Sequence, residues 1–283
     1  MKILSGKDLA DKKLAILADE VKDLAASRGR LPKLTIILVG ENPDSKKYVH
    51  TKRLQCEKVG VLCDICHFQQ NASEKEIIAT IDSLNKDENT DGILLQLPLP
   101  AHLDAANILE TIDYHKDVDG LHSINMGFLA AGKPHVLPCT PKGIISLLKH
   151  YEIPIDGKRV VVVGRSNLVG KPTAQLMLRE NATVTLAHSK TENLADIVAM
   201  ADIVVSAMGK TGVLMPEMLP DNVVLVDVGM NRQNGFLTGD VYCEENLSRL
   251  ETKAAAVTPV PAGVGPMTIA SLLENVVELY KAE

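Results

Sequence analysis

The sequence predicts an α/β protein of two domains, each a mainly parallel sheet with helices against it. Three observations carry that expectation. Helix and strand patterns alternate from Lys7 to Leu97, lapse, and start again at Arg159. Between the two runs, LPCTPKGI puts Pro138 and Pro141 ahead of a helical stretch from about Lys142 to Tyr151, which marks a crossing between domains. The second run opens with RVVVVGRSNLVGKP: an apolar strand, a glycine turn and a helix start, the order a Rossmann-type dinucleotide domain needs. The expected limits are residues 1–141 plus 268–283 for an N-terminal catalytic domain and 142–267 for the dinucleotide domain. The C-terminal helix is expected to pack back on the first domain.

Each element has its own signal. Leu9, Leu14, Leu17, Val21 and Leu24 form a helical stripe over Lys7 to Ser27, and Gly29 stops it. A strand follows at Leu34–Val39, ending at Gly40. Asn42 and Pro43 turn the chain into a helix over about Asp44 to Val59. Val61–Phe68 reads as strand. Ser73 and Glu76 form a capping-box pattern for a helix reaching Leu84. Gly92–Leu97 reads as strand, stopped by Pro98 and Pro100. In the second run, strands are expected at Arg159–Gly164, Thr183–Ala187, Asp202–Ala207, Val223–Val228 and Ala254–Val257. Helices are expected near Lys171–Glu180, Asn193–Met200 and Thr268–Tyr280.

Composition narrows the function classes. The 283 residues are 46% hydrophobic and 23% charged, an ordinary globular balance that argues against disorder. A net charge of -6 speaks against a broad nucleic-acid surface, while leaving room for local anion sites at helix N-termini. No apolar run approaches roughly 18 residues, so no membrane span is expected. MKILSGKDLADKKL lacks the apolar core of a signal peptide, and its acids argue against a transit peptide. The five cysteines read as reduced thiols of a cytoplasmic protein. Cys63 and Cys66 form a CxxC, but on a strand these positions point to opposite faces, and no second CxxC completes a zinc site. No metal is expected.

The second domain carries the cofactor signals. Gly164 and Gly170 sit at the two ends of the phosphate turn. Ser166 occupies the middle position of the usual G-x-G-x-x-G, and the last glycine comes one residue late. An NAD site places an acid about 20 residues on, at the end of the next strand, to hold the ribose 2′-OH. Here that strand runs into His188, Ser189, Lys190 and Thr191, with no acid, and Arg165 stands beside the turn. A 2′-phosphate would meet donors there, which favours NADP. Gly209 and Gly229 close two later strands at the same sheet edge, where ligands bind in open α/β sheets.

The first domain carries the candidate chemistry. Ser45, Tyr48 and Lys52 share one face of a predicted helix. Gln96 lies at a strand end within GILLQLPLP, and KDVDG puts Asp117 and Asp119 in a turn. A lysine held near a glutamine and an aspartate, under an aromatic ring, can have a tuned pKa and serve as acid and base. Tyr-x-x-x-Lys also occurs in short-chain dehydrogenases, but there it follows the dinucleotide fingerprint within one domain. Here it precedes it by more than a hundred residues.

These stretches together resemble the bifunctional methylenetetrahydrofolate dehydrogenase/methenyltetrahydrofolate cyclohydrolase family. The resemblance is carried in order by VGENPDSKKYVHTK, DGILLQLPLP, KDVDGLH, LPCTPKGI, VVVGRSNLVGKP, HSKT, DVGMN and TPVPAGVGPMT. It implies oxidation of 5,10-methylenetetrahydrofolate by NADP+, then hydrolysis of the methenyl cation to 10-formyltetrahydrofolate, in a homodimer. It implies that Lys52 activates water and moves protons, that Tyr48 stacks on the folate ring system, that Gln96 tunes Lys52, and that Asp119 holds the amino edge of the pterin. Ser45, Leu95, Leu97 and the loop of Pro261, Ala262, Gly263, Val264 and Gly265 are implied folate neighbours. Gly164, Arg165, Ser166, Ser189 and Met230 are implied cofactor contacts, joined by Gly209 and Gly229 from the strand-end reading. Two positions depart from the family pattern. Ala262 replaces the first glycine of PVPGGVG, which costs about 1 kcal/mol or more if φ is positive there. Leu121 replaces an aromatic in DVDGFH. The altered loop beside an intact cofactor turn leaves a dehydrogenase without cyclohydrolase activity as one alternative, and a non-catalytic folate or NADP binding protein as another.

Overall fold

The computed structural model describes residues 1–233 and 235–282. In chain order its elements are β1 (Lys2–Ile3), α1 (Gly6–Arg28), β2 (Lys33–Val39), α2 (Pro43–Val59), β3 (Leu62–Phe68), α3 (Glu74–Lys86), β4 (Gly92–Leu95), α4 (Ala105–Leu109), α5 (Ser123–Ala130) and α6 (Cys139–His150). Then come β5 (Arg159–Val163), α7 (Gly170–Arg179), β6 (Thr183–Ala187), α8 (Leu194–Val198), β7 (Ile203–Ser206), β8 (Val223–Asp227), β9 (Asn231–Gln233), β10 (Phe236–Thr238), α9 (Leu247–Lys253), β11 (Ala254–Val257) and α10 (Val264–Ala282). Among the described residues, no helix is long and apolar enough to cross a membrane.

The chain divides into two compact units, Lys12–Cys139 with Ile269–Glu283, and Met1–Asp11 with Thr140–Thr268. The sequence reading places residues 1–141 in one domain, whereas Met1–Asp11 group here with Thr140–Thr268. Lys2 and Ile3 pair in parallel with Ala256 and Val257, and Leu4 N donates to Val257 O, so the first residues complete the other unit's sheet. Two residues of strand leave no periodicity in a sequence, and their partner lies about 250 positions away.

In the first of these units the sheet is parallel, in the order β3-β2-β4. β2 and β4 are buried nearly throughout, which is why LTIILV and GILL read as unbroken apolar runs. β3 lies at the edge, and its seven residues are exposed or half-buried. Ile37, Val39, Ile77, Ile81, Ile93 and Leu95 belong to the core. The N-terminus of α2 is fixed by Asn42, whose side-chain oxygen accepts from the N–H of Asp44 and Ser45 at 3.0 Å each, with Pro43 in the first turn. α3 has the capping box between Ser73 and Glu76. The strand expected to reach Leu97 ends at Leu95. Gln96 N still donates to Ile37 O, but Pro98, two residues on, brings no N–H to continue the ladder.

The C-terminal helix packs within this unit. Asn275 Nδ2 donates to Val118 O at 2.8 Å and Leu137 O at 2.9 Å, and Tyr280 Oη donates to Arg30 O at 2.7 Å. Asn275 is fully buried, so these bonds offset its desolvation and tie the helix to the loop that carries Asp117 and Asp119.

The other unit is a six-stranded parallel sheet in the order β1-β11-β8-β7-β5-β6. The chain goes from β5 outward to β6, then returns across β5 to β7, so the strand order reverses between β5 and β7. That reversal is the topological switch point, where α/β sheets bind ligands at the carboxyl ends of strands. Val161, Val163, Val204, Leu225 and Val257 belong to its core. The antiparallel pair of β9 and β10 is a further addition, and strands of three residues leave no periodicity to reveal it.

Candidate active site

α2 places Ser45, Tyr48 and Lys52 on successive turns, and the end of β4 brings Gln96 to them. Lys52 Nζ donates to Gln96 Oε1 at 2.9 Å. The amide cannot easily turn away, because Gln96 Nε2 donates to Leu97 O at 2.6 Å. Lys52 is half-buried, and the protein atoms packed around it push its pKa below the ordinary lysine value of 10.5. The Asp119 carboxylate, and more weakly the thiols of Cys139, Cys56 and Cys63, oppose that shift without cancelling it. The result is an amine with one fixed acceptor and one nearby negative charge, poised closer to neutral pH than a surface lysine. Tyr48 is half-buried. Ser45 is 3% exposed, and its hydroxyl has no hydrogen-bond partner among the described residues.

The KDVDG turn separates its two aspartates by role. Asp117 is buried and accepts from Gly120 N at 3.1 Å, His122 N at 2.9 Å and Asn125 Nδ2 at 2.9 Å, so it shapes the turn. Burial raises its pKa. Asp119 stays half-buried and faces the Lys52 charge. Leu95 is in the core at 3% exposure, whereas Leu97 is half-buried.

The loop from Pro261 to Gly265 belongs to the six-stranded unit. Ala262 has φ +79°, the left-handed conformation that a glycine would take without strain. The carbonyl of Ala262 accepts from Gly6 N at 2.9 Å and Lys7 N at 3.1 Å, capping the first turn of α1. Gly263 has no room for a side chain, since a Cβ there would lie 2.4 Å from Pro259 O.

At the switch point, backbone meets backbone. A Cβ on Gly164 would lie 2.2 Å from Ala207 O, and one on Gly170 would lie 2.0 Å from Gly164 O. These two glycines therefore let the β5 turn lie against the β7 exit and let α7 begin directly behind the turn. That leaves the cradle which a pyrophosphate fills in dinucleotide sites, so the residues fit such a group. Ser166 Oγ accepts from Val169 N at 3.1 Å and Gly170 N at 3.3 Å, so its lone pairs serve the start of α7 and its O–H proton is what it can offer a ligand. Arg165 is exposed beside it. After β6, His188 N donates to Thr191 Oγ1 at 2.8 Å and Lys190 N to His188 Nδ1 at 3.2 Å, closing a tight turn with Ser189 exposed at its tip. Gly209 is exposed with φ +63°, Gly229 is buried, and Met230 is 53% exposed at the same edge.

Sequence reasoning passed over two buried carboxylates behind this edge, Asp227 and Asp240. Asp227 accepts from the N–H of Gly229, Asp240, Val241 and Tyr242 at 2.7–2.9 Å. Burial outweighs these bonds and raises its pKa to about 6. The only sequence signal was an acid closing an apolar strand, VVLVD, with a second one in GDVY.

Comparison with known proteins agrees with this geometry. Residues 4–119 match the tetrahydrofolate dehydrogenase/cyclohydrolase catalytic domain, and residues 138–283 match the NAD(P)-binding domain of the same family. The chain is 46% identical over 282 residues to the bifunctional protein FolD of Enterococcus faecalis, covering 99% of each. It is 48% identical over 285 residues to that of Maridesulfovibrio salexigens, covering 99% of this chain and 98% of the other. Its structure is similar to the bifunctional FolD methylenetetrahydrofolate dehydrogenase/cyclohydrolase of Campylobacter jejuni, with TM-score 0.95 and 43% identity over 100% of this chain and 99% of that one. It is also similar to the Trypanosoma brucei enzyme solved with NADP and an inhibitor, with TM-score 0.92 and 36% identity over 99% and 97% of the two chains. With both domain types matched in order and near-complete coverage by relatives above 30% identity, the chain belongs to the tetrahydrofolate dehydrogenase/cyclohydrolase family.

Proposed function

We propose that this chain oxidises 5,10-methylenetetrahydrofolate to the 5,10-methenyl cation with NADP+, then adds water to give 10-formyltetrahydrofolate and a proton. The observation that carries the reading is the Lys52–Gln96 pair: a lysine amine with a lowered pKa, fixed at 2.9 Å on an amide oxygen and facing Asp119. When bound, NADP+ supplies the hydride acceptor. Gly164, Arg165, Ser166, Ser189, Gly209, Gly229 and Met230 are assigned to holding it, with Arg165 and Ser189 at the 2′-phosphate.

On the folate side, Tyr48 supplies a flat face for the ring system, and Asp119 accepts the N–H groups of the pterin edge. Ser45, Leu95, Leu97 and the loop of Pro261, Ala262, Gly263, Val264 and Gly265 are assigned as its neighbours. The methenyl carbon is already electrophilic, so hydration asks for little beyond a base. Lys52, unprotonated, takes a proton from the attacking water and returns it during collapse to the formyl product. Gln96 keeps the amine aimed and accepts its N–H bond in either charge state. The family resemblance also points to a homodimer working in the cytoplasm, and sedimentation tests the first of these.

The test is an absorbance assay with 5,10-methylenetetrahydrofolate and either NADP+ or NAD+, followed by acid conversion of any 10-formyl product back to methenyl. Turnover that favours NADP+, with methenyl reappearing only on acidification, is expected. Turnover halting at methenyl would leave a monofunctional dehydrogenase. No turnover with either dinucleotide would leave a binding protein.

A further inference from the structure

Asp240 lies in the segment after β10, is 2% exposed, and gathers five donors on one carboxylate. Oδ2 accepts from Ser206 Oγ at 3.0 Å, Met208 N at 2.8 Å and Gly209 N at 3.2 Å. Oδ1 accepts from Lys210 N at 2.8 Å and Asn231 Nδ2 at 2.9 Å. Three of these are consecutive backbone N–H groups of the β7 exit loop, and the fifth donor comes from beyond β8. One side chain therefore fastens the ends of two neighbouring strands at the binding edge. The carboxylate is itself held from behind, because Asp227 accepts from the backbone N–H of Asp240, Val241 and Tyr242. Two glycines make room for this packing. A Cβ on Gly229 would lie 2.3 Å from Asp240 Oδ1, and one on Gly239 would lie 2.2 Å from Asp227 Oδ2.

In a doubly wound sheet the adenosine half of a dinucleotide lies over the strand after the phosphate turn, here β6, and the other half lies across the switch point. β7 and β8 are on that other side. A loop of Ala-Met-Gly-Lys with no tether would sample many conformations, and each binding event would have to order it. The N–H groups of Met208, Gly209 and Lys210 point into the protein at Asp240, so the loop offers the ligand its carbonyls and the open side of Gly209, where no atom lies within 4 Å of a would-be Cβ.

We propose that Asp240 is a positioning residue for the dinucleotide. It locks the β7 exit loop and the β8 exit into one preformed ledge for the nicotinamide half, while touching no substrate atom itself. This rests on the cofactor reading above.

The experiment compares wild type with Asp240→Asn, which keeps the shape but turns an amide toward donors that need an acceptor. Three readouts are taken on the full chain. Binding of NADP+ by calorimetry is expected to weaken about tenfold or more. Binding of adenosine 2′,5′-bisphosphate, which reaches only the adenosine half, is expected to stay within about twofold. Amide exchange at Met208, Gly209 and Lys210 in the ligand-free protein is expected to speed up by about tenfold or more. Hydrolysis of supplied methenyltetrahydrofolate without dinucleotide serves as the control for the rest of the fold. Equal losses for NADP+ and the bisphosphate, or unchanged NADP+ affinity in a folded variant, would overturn the positioning role. If Asp240→Asn does not fold, Asn231→Ala decides: it removes one donor and leaves the carboxylate in place. A loss of about two- to fivefold for NADP+ alone supports the ledge, and no loss overturns it. Wild-type protein that binds neither NADP+ nor the bisphosphate would instead overturn the cofactor reading.

Discussion

Lys52 in the three-stranded unit and Asp240 in the six-stranded unit carry buried charge in opposite ways. In the three-stranded unit, Lys52 has a single hydrogen-bond partner among the described residues, and burial drives its pKa down. In the six-stranded unit, Asp240 has five donors among the described residues. A group that must change protonation state during a reaction has to be left partly unsatisfied, or its charged form becomes too stable to give up. A group that fixes a loop works best when saturated. Satisfaction of hydrogen-bonding capacity thus separates Lys52, the proposed base, from Asp240, the proposed positioning residue.

The largest effect that tests this contrast comes from Lys52→Met. Loss of cyclohydrolase activity by a factor of about 10² to 10⁴ is expected, with NADP+ affinity retained. The same variant should be more heat-stable at neutral pH. A lysine whose folded pKa lies below its unfolded value binds fewer protons folded than unfolded between those two values, so stability from this group rises with pH through that window. Below the folded pKa the cost of the buried charge is present in full, and methionine removes it, less what is lost by leaving Gln96 Oε1 without its donor. Melting curves of the two proteins should converge as pH climbs toward 10.5. Retained hydrolysis would sink the assignment of Lys52 as base, and a melting point lowered at pH 7 would show that the charge was not costly.

The pH profile sharpens the same point. With the unprotonated amine as the proposed active form, kcat/KM for methenyl hydrolysis should rise with pH along a limb whose midpoint lies below 10.5. Asp119 is the strongest influence holding that pKa up, so Asp119→Asn should move the rising limb to lower pH even though binding of the pterin weakens. A limb that stays in place would mean another group controls the rate.

A smaller effect is expected on the cofactor side. Arg165→Ala should weaken NADP+ by about tenfold and NAD+ by no more than about twofold, since a guanidinium can pair with the 2′-phosphate that only NADP+ carries. Equal losses in a titration with both dinucleotides would remove Arg165 from the phosphate site.

Much of this was readable in the residues. The apolar runs of β2, β4, β5, β7 and β8 are continuous because both faces are buried, and Gly164 and Gly170 are needed wherever backbone must touch backbone. Helical spacing put Tyr48 and Lys52 on one face. What escaped depends on partners distant in sequence. Lys2–Ile3 has meaning only beside β11, and Asn275 looks like a flaw in an apolar helix until Val118 O and Leu137 O are placed against it. Asp240, in GDVY, reads as a solvated turn acid. Its burial follows from donors of Ser206, Met208, Gly209, Lys210 and Asn231 closing around it, which no local pattern encodes.

The smallest effect concerns Ala262, where the sequence left a conditional statement and the structure supplies the condition, φ +79°. An alanine in this conformation costs about 1–2 kcal/mol. Restoring glycine removes that strain but frees the unfolded chain, which costs about 0.4–1 kcal/mol in the opposite direction. Strain relief wins narrowly, so Ala262→Gly should stabilise the protein by about 0.5–1 kcal/mol, roughly 2 °C in Tm. The carbonyl that caps α1 through Gly6 N and Lys7 N is present in either residue, so the cap survives the change. Both activities should match or slightly exceed wild type. A clear fall in cyclohydrolase rate with the dehydrogenase step intact would mean that the alanine methyl, and not only the backbone, shapes the folate side of this loop.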